Sequence, residues 1–192
     1  SEGVDFILER ARAGTPENPV WLVLLGAVTN AVAALRRDPT VADRMIIFWH
    51  GRSAWPKECR NFNARKDPIA ARLVFELPSR FVLFDTGAQI MMPTEETARR
   101  FAPLGPLGEH LQTIRSRHPD LSVPTKGLFD LGDIAALVDP ACVTVERSAI
   151  PAVNEKLEYD FSSAKGELLR IKDIDPARSF DLLEEALRRL KP

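Results

Sequence analysis

Apolar positions along this chain recur in two patterns, one at helical spacing and one as unbroken runs, and their order predicts the elements. Residues 3–12 place Val4, Phe6, Ile7, Leu8 and Ala11 at helical spacing, and Pro16 and Pro19 break that helix. Val20–Leu25 follows as a continuous apolar run, which reads as a strand covered on both faces, the habit of parallel sheets. Thr29–Arg37 predicts a helix with Ala31, Val32, Ala34 and Leu35 on its inner side. Thr40-Val41-Ala42-Asp43 resembles a capping box for one more helical turn, and Met45–Trp49 reads as a second buried strand. Residues 50–66 are polar and irregular. Asp67 and Pro68 then cap and open a helix carrying Ile69, Ala70, Leu73, Val74 and Phe75, before a third strand at Arg80–Asp85.

In the second half, Thr94 is expected to cap a helix with Glu95 and Glu96 in its first turn, where the helix dipole favours anions. Residues 106–118 read as helix, 119–128 as loop, and Asp130–Val138 as a short helix stopped by Asp139-Pro140. Strands at 143–147 and 167–172 precede a terminal amphipathic helix opened by Asp175-Pro176 and ending at Leu190. Alternating strands and helices predict right-handed crossovers on an open, mostly parallel sheet with flanking helices. No repeat or linker divides the sequence, so residues 1–192 are expected to form a single α/β domain. Ligands in such sheets sit beyond the C-terminal strand ends, here Gly26–Thr29, His50–Asn63 and Asp85–Met92. The connection after the second strand is much longer than the usual two to six residues, which marks it as the functional candidate.

Composition narrows the classes. Lys and Arg number 26 against 27 Asp and Glu, a net charge of −1, so neither a basic nucleic-acid face nor a polybasic membrane anchor is expected. Two cysteines, Cys59 and Cys142, are too few for a disulfide framework and lack zinc spacing. No apolar run approaches the roughly 20 residues of a membrane span, and the expectation is a cytoplasmic protein.

Three segments, in order, resemble one family. Leu24-Leu25-Gly26-Ala27-Val28-Thr29-Asn30, with the Ala-rich helix and Arg37-Asp38-Pro39 behind it, is similar to the "LGPLTN-A-x-AL…-P" segment of nucleoside hydrolases. Asn61-Phe62-Asn63 through Asp67-Pro68-Ile69-Ala70-Ala71 is similar to their "EFN-x-x-x-DP-x-AA" segment, and Trp49-His50-Gly51-Arg52 sits where they end a strand on "MGG" or "LGG". Phe129-Asp130-Leu131 through Val138-Asp139-Pro140 resembles their later "HDPLAVAYLLDP" segment. The resemblance implies a calcium-dependent enzyme of purine and pyrimidine salvage, of the inosine/uridine-preferring type, that hydrolyses the N-glycosidic bond of a ribonucleoside to base and ribose. A hard cation with about six to eight oxygen ligands suits the ribose diol and an attacking water. The ribosyl group becomes oxocarbenium-like, so neighbouring carboxylates stabilise it.

Carried over residue by residue, the resemblance makes Asp130 a calcium carboxylate and Leu25 a calcium ligand through its backbone carbonyl. Asn63 becomes a sugar-hydroxyl ligand; Asn61, Trp55 and Phe129 complete the substrate-binding candidates. No residue is assigned as catalytic base. Asn61 stands where the family has glutamate, and Phe129 where one branch has histidine, which implies a divergent branch. The family's opening "DxDPGxDD" motif has no counterpart after Ser1; the echo Asp173-Ile174-Asp175-Pro176 reads as a helix cap. The expectation is therefore the C-terminal two-thirds of a nucleoside hydrolase, its N-terminal part missing, inactive alone and homo-oligomeric because a strand edge is left open. The alternative is a non-catalytic relative retained as a binding or structural module. Without the resemblance, Asp130 reads as a helix cap, Asn63 as a turn residue and Trp55 as a loop anchor. His50, His110 and His118 have no partners at catalytic spacing.

Overall fold

A computed structural model describes residues 1–86 and 89–190. In chain order the first elements are α1 (Glu2–Ala13), β1 (Val20–Leu24), α2 (Thr29–Arg37), β2 (Met45–His50), α3 (Phe62–Lys66), α4 (Pro68–Leu73) and β3 (Arg80–Phe84). They are followed by β4 (Met91–Pro93), α5 (Thr94–Arg100), α6 (Pro106–Arg117), β5 (Thr125–Gly127) and α7 (Phe129–Val138). The chain ends with β6 (Val143–Ala149), β7 (Ala152–Val153), β8 (Tyr159–Asp160), β9 (Glu167–Ile174) and α8 (Pro176–Leu190). Two compact units result: Ser1–Asp85 with Val145–Lys172, and Thr86–Thr144 with Asp173–Pro192.

The first unit is built on a five-stranded sheet of order β1-β2-β3-β9-β6, in which β1, β2, β3 and β9 pair in parallel. Register explains its core: Leu22 lies beside Ile47 and Ile47 beside Phe81, while Leu24, Trp49 and Leu83 form the next row. Onto this face pack Val4, Leu8 and Ala11 of α1, Ala31, Val32, Ala34 and Leu35 of α2, and Ala70 and Ala71 of α4. Small residues on α2 and α4 let the helix backbones approach the strands closely, so the large side chains come from the sheet. Trp49, fully buried, meets Phe75 edge-on and lies nearly parallel to Phe81. The fold is thus the expected mostly parallel sheet with flanking helices.

Several local expectations are corrected. The capping box at Thr40 is absent: Pro39–Val41 forms a 3-10 turn whose cap is Asp38, accepting from the Thr40 amide. Pro39 fixes the first position of that turn and needs no partner, which leaves the preceding carboxylate as the cap. Thr94 does not cap α5, because its hydroxyl donates to the Val123 carbonyl instead. The 119–128 loop contains β5, which pairs antiparallel with β4, and the irregular 50–66 segment ends in α3. Val20–Leu25 is not covered on both faces: β1 lies at the edge of the sheet among the described residues, and Trp21 is 49% exposed.

In the second unit, α6 carries the buried Arg115, whose guanidinium donates to the carbonyls of Met92 and Lys126 and so ties α6 to the β4–β5 pair. The Leu128 amide donates to the Ile90 carbonyl, which sets the entry to α7. Asp175 caps α8 by accepting from the Arg178 amide, as its position before Pro176 predicts.

Candidate functional site

The C-terminal ends of β1 and β2 are joined by a side chain from α3. Asn61 caps this helix, its oxygen accepting from the Ala64 amide at 2.9 Å while its nitrogen donates to the Cys59 carbonyl at 3.0 Å. The cap directs Asn63, two residues in, beneath the strand ends. There the buried Asn63 nitrogen donates to the carbonyl of His50 at 2.9 Å and to that of Leu25 at 3.3 Å. The Trp49 indole donates to the Gly26 carbonyl at 2.9 Å, fixing the same turn from the sheet side. Thr29, at the start of α2, donates to Asp67 at 2.6 Å, and the other Asp67 oxygen accepts from the Ala70 amide to cap α4. These two bonds, the Ala70 amide foremost, hold the Asp67 carboxyl below the usual carboxylate range.

Trp55 lies in an aromatic group with Tyr159 (ring centroids 4.7 Å apart) and Phe161 (5.2 Å), and the Arg170 guanidinium lies over its ring. Arg170 also pairs with Asp85 at 2.6 Å and with Glu146 at 2.8 Å. Burial pushes the Asp85 carboxyl up, against the lowering effect of Ser53 and Arg170. Burial likewise raises Tyr159 and pushes the Cys59 thiol up to about 12, so Cys59 is a protonated core side chain at neutral pH. None of these partners near residue 160 is signalled by the sequence around Trp55.

In the second unit, Phe129 and Asp130 are the first two residues of α7. Leu128 occupies the cap position, so Asp130 is not the cap; it is exposed in the first turn. One turn later on the same face stands Asp133, fully buried, with a carboxylate oxygen within 4.8 Å of one from Asp130. The sequence signal for Asp133 is its spacing from Asp130, three apart on one helix. Phe129 is half-buried with its ring against Gly127, where a Cβ would fall 2.0 Å from it, so any side chain there requires the Phe129 ring to move. The two carboxylates suit a hard cation in kind. They fall short of calcium's usual complement in number.

His50 is buried against Phe84, with ring centroids 5.6 Å apart. His110 and His118 are exposed, and the latter accepts from the Asp120 amide. In the Asp85–Met92 segment, Gly87 and Ala88 lie outside the described residues; Thr86 donates to Gln89 at 2.6 Å.

The sequence matches the model of the family described as inosine-uridine preferring nucleoside hydrolase over residues 1–173. Similar solved structures include a purine-preferring ribonucleoside hydrolase from Gardnerella vaginalis, 21% identical with a TM-score of 0.76, covering 98% of this chain and 66% of that one. A plant nucleoside hydrolase is 20% identical with a TM-score of 0.76, over 97% of this chain and 66% of that chain. An inosine-uridine preferring nucleoside hydrolase from Bacillus anthracis is 16% identical with a TM-score of 0.76, over 97% and 65%. The chain therefore spans just under two thirds of the length of these structures. Among curated proteins, none matches this sequence.

Proposed function

Because this chain belongs to the inosine-uridine preferring nucleoside hydrolase family, we propose that it serves the hydrolysis of the N-glycosidic bond of ribonucleosides to base and ribose. The observation that carries this reading is Asn63, whose amide is held across the ends of β1 and β2 by the carbonyls of His50 and Leu25. The C-terminal end of a parallel sheet is where such folds bind small molecules. The amide's two N–H donors are spent on the strand ends, so its oxygen is the atom we assign to a sugar hydroxyl. Trp55 and Phe129 are the apolar surfaces assigned to the nucleoside, and Asn61 is assigned to the wall beside it.

Asp130 is the carboxylate we assign to calcium, with the Leu25 carbonyl as a second ligand, which its remaining lone pair allows. Calcium, when bound, supplies positive charge that grips a vicinal diol and lowers the pKa of a bound water. We further assign the protein to the cytoplasm and to a homo-oligomer, with no nucleic acid or membrane as partner; no described helix is long and apolar enough to cross a membrane.

A second reading, a binding module without turnover, is favoured by Asn61: a neutral amide engaged at both ends in capping α3 stands where the family's glutamate is expected. Titrating inosine into the chain by calorimetry, with calcium present, tests both readings. Asn63→Ala is expected to weaken binding by about 1–3 kcal/mol, the cost of a lost polar contact in a buried site. Unchanged affinity in that variant removes Asn63 from the site, and no inosine binding at all contradicts both readings.

A further inference from the structure

The connection between β2 and α3 is held by two different means. Its second half is stitched by backbone: the Cys59 amide donates to Leu157 at 2.8 Å, and the Tyr159 amide to Lys57 at 3.0 Å. Its first half has backbone ties too, the Gly51 amide donating to Phe84 at 3.2 Å and the Ala54 amide to Glu58 at 2.8 Å, but around Ser53 and Trp55 it also meets charged side chains. The Ser53 amide donates to one oxygen of Asp85, and the other oxygen takes Arg170 at 2.6 Å. Arg170 extends to Glu146 at 2.8 Å, and its guanidinium carbon lies 5.2 Å from the centroid of the Trp55 ring.

The pair is nearly excluded from water, with side-chain exposures of 3% for Asp85 and 14% for Arg170. A buried ion pair is a poor way to gain stability, since apolar side chains of similar volume do as well or better. What it supplies is direction. Asp85 directly follows β3, and its own amide donates to Ile171 at 3.1 Å, so the sheet fixes where the carboxylate stands. The planar guanidinium then meets Asp85, Glu146 and the Trp55 face together, a combination that a lysine ammonium does not reproduce.

We infer that Asp85 and Arg170 are positioning residues: they set the conformation of the Ser53–Pro56 segment and so hold Trp55 in place. This inference rests on the nucleoside reading only for its purpose, because the segment it fixes carries Trp55 to the strand ends where the substrate is assigned. Arg170 lies over the indole and Tyr159 and Phe161 pack beside it, so three neighbours restrict the orientation of Trp55.

The test uses the full chain with Asp85→Asn and Arg170→Lys, and reads three signals. Amide exchange reports the loop, Trp55 emission (wild type minus Trp55→Phe) reports the indole, and KM and kcat for inosine report the site. Asp85→Asn is expected to speed exchange at Ser53 about tenfold, while β2 and β3 amides exchange as in wild type. Arg170→Lys is expected to leave Ser53 exchange near wild type but to shift Trp55 emission. Where inosine is hydrolysed, both variants raise KM more than they lower kcat. Faster exchange spread evenly over loop and strands marks a purely structural pair and overturns the inference, as does unchanged Trp55 emission in Arg170→Lys. Should Asp85→Asn fail to fold, Arg170→Lys, which keeps both charges, decides alone through emission. Absence of inosine binding sinks the nucleoside reading and leaves the exchange and emission results to judge the positioning.

Discussion

Single residues do the joining in this chain. Asp67 caps α4, accepts from Thr29 and thereby links the start of α2 to the start of α4. Replacing Asp67 with alanine is expected to cost about 0.5–2 kcal/mol, the usual range for a lost cap, measured by urea denaturation. Because the folded Asp67 carboxyl titrates below its ordinary value, its contribution is present above the usual carboxylate range and is lost as pH falls through the folded value. The gap between wild type and Asp67→Ala should therefore close on acidification; a gap that stays constant into strong acid contradicts the assignment. Asp67-Pro68 was legible in the sequence because a cap and its helix are neighbours. Asn61 was not, since α3 is too short to show periodicity. Trp55 was legible only as a loop aromatic, because Tyr159, Phe161 and Arg170 reach it from the far end of the sequence.

At the scale of elements, the strands were readable from unbroken apolar runs, but the runs do not reveal which strand is outermost. The β1 run, Val20–Leu24, lies at the sheet edge among the described residues, with Trp21 49% and Leu25 38% exposed. An apolar edge with free backbone donors and acceptors invites pairing with another chain. Light scattering after size exclusion should show self-association of the wild-type chain, reduced by Trp21→Lys, which places a charge on that edge. A wild-type monomer at high concentration, or an unchanged size in the variant, contradicts this reading of β1. The β4–β5 pairing was invisible in sequence because three-residue strands carry no measurable alternation, and Arg115 from α6 holds both strands through their carbonyls. Thr94 went the other way: a local capping signal lost to a tertiary partner, Val123.

For the whole molecule, the balanced charge and the mostly parallel sheet define a class, and the ordered family segments reduce it to one family. The residues those segments single out take up definite positions: Asn63 beneath two strand ends, Asp130 in the first turn of α7 with buried Asp133 behind it. The most direct measurement is calorimetric titration of inosine into this chain with calcium, wild type beside Asp130→Ala. Inosine binding that weakens when calcium is chelated, and weakens likewise in Asp130→Ala, is the expected result. Binding unaffected by either change, or no inosine binding by the wild-type protein at any calcium concentration, would contradict the nucleoside assignment.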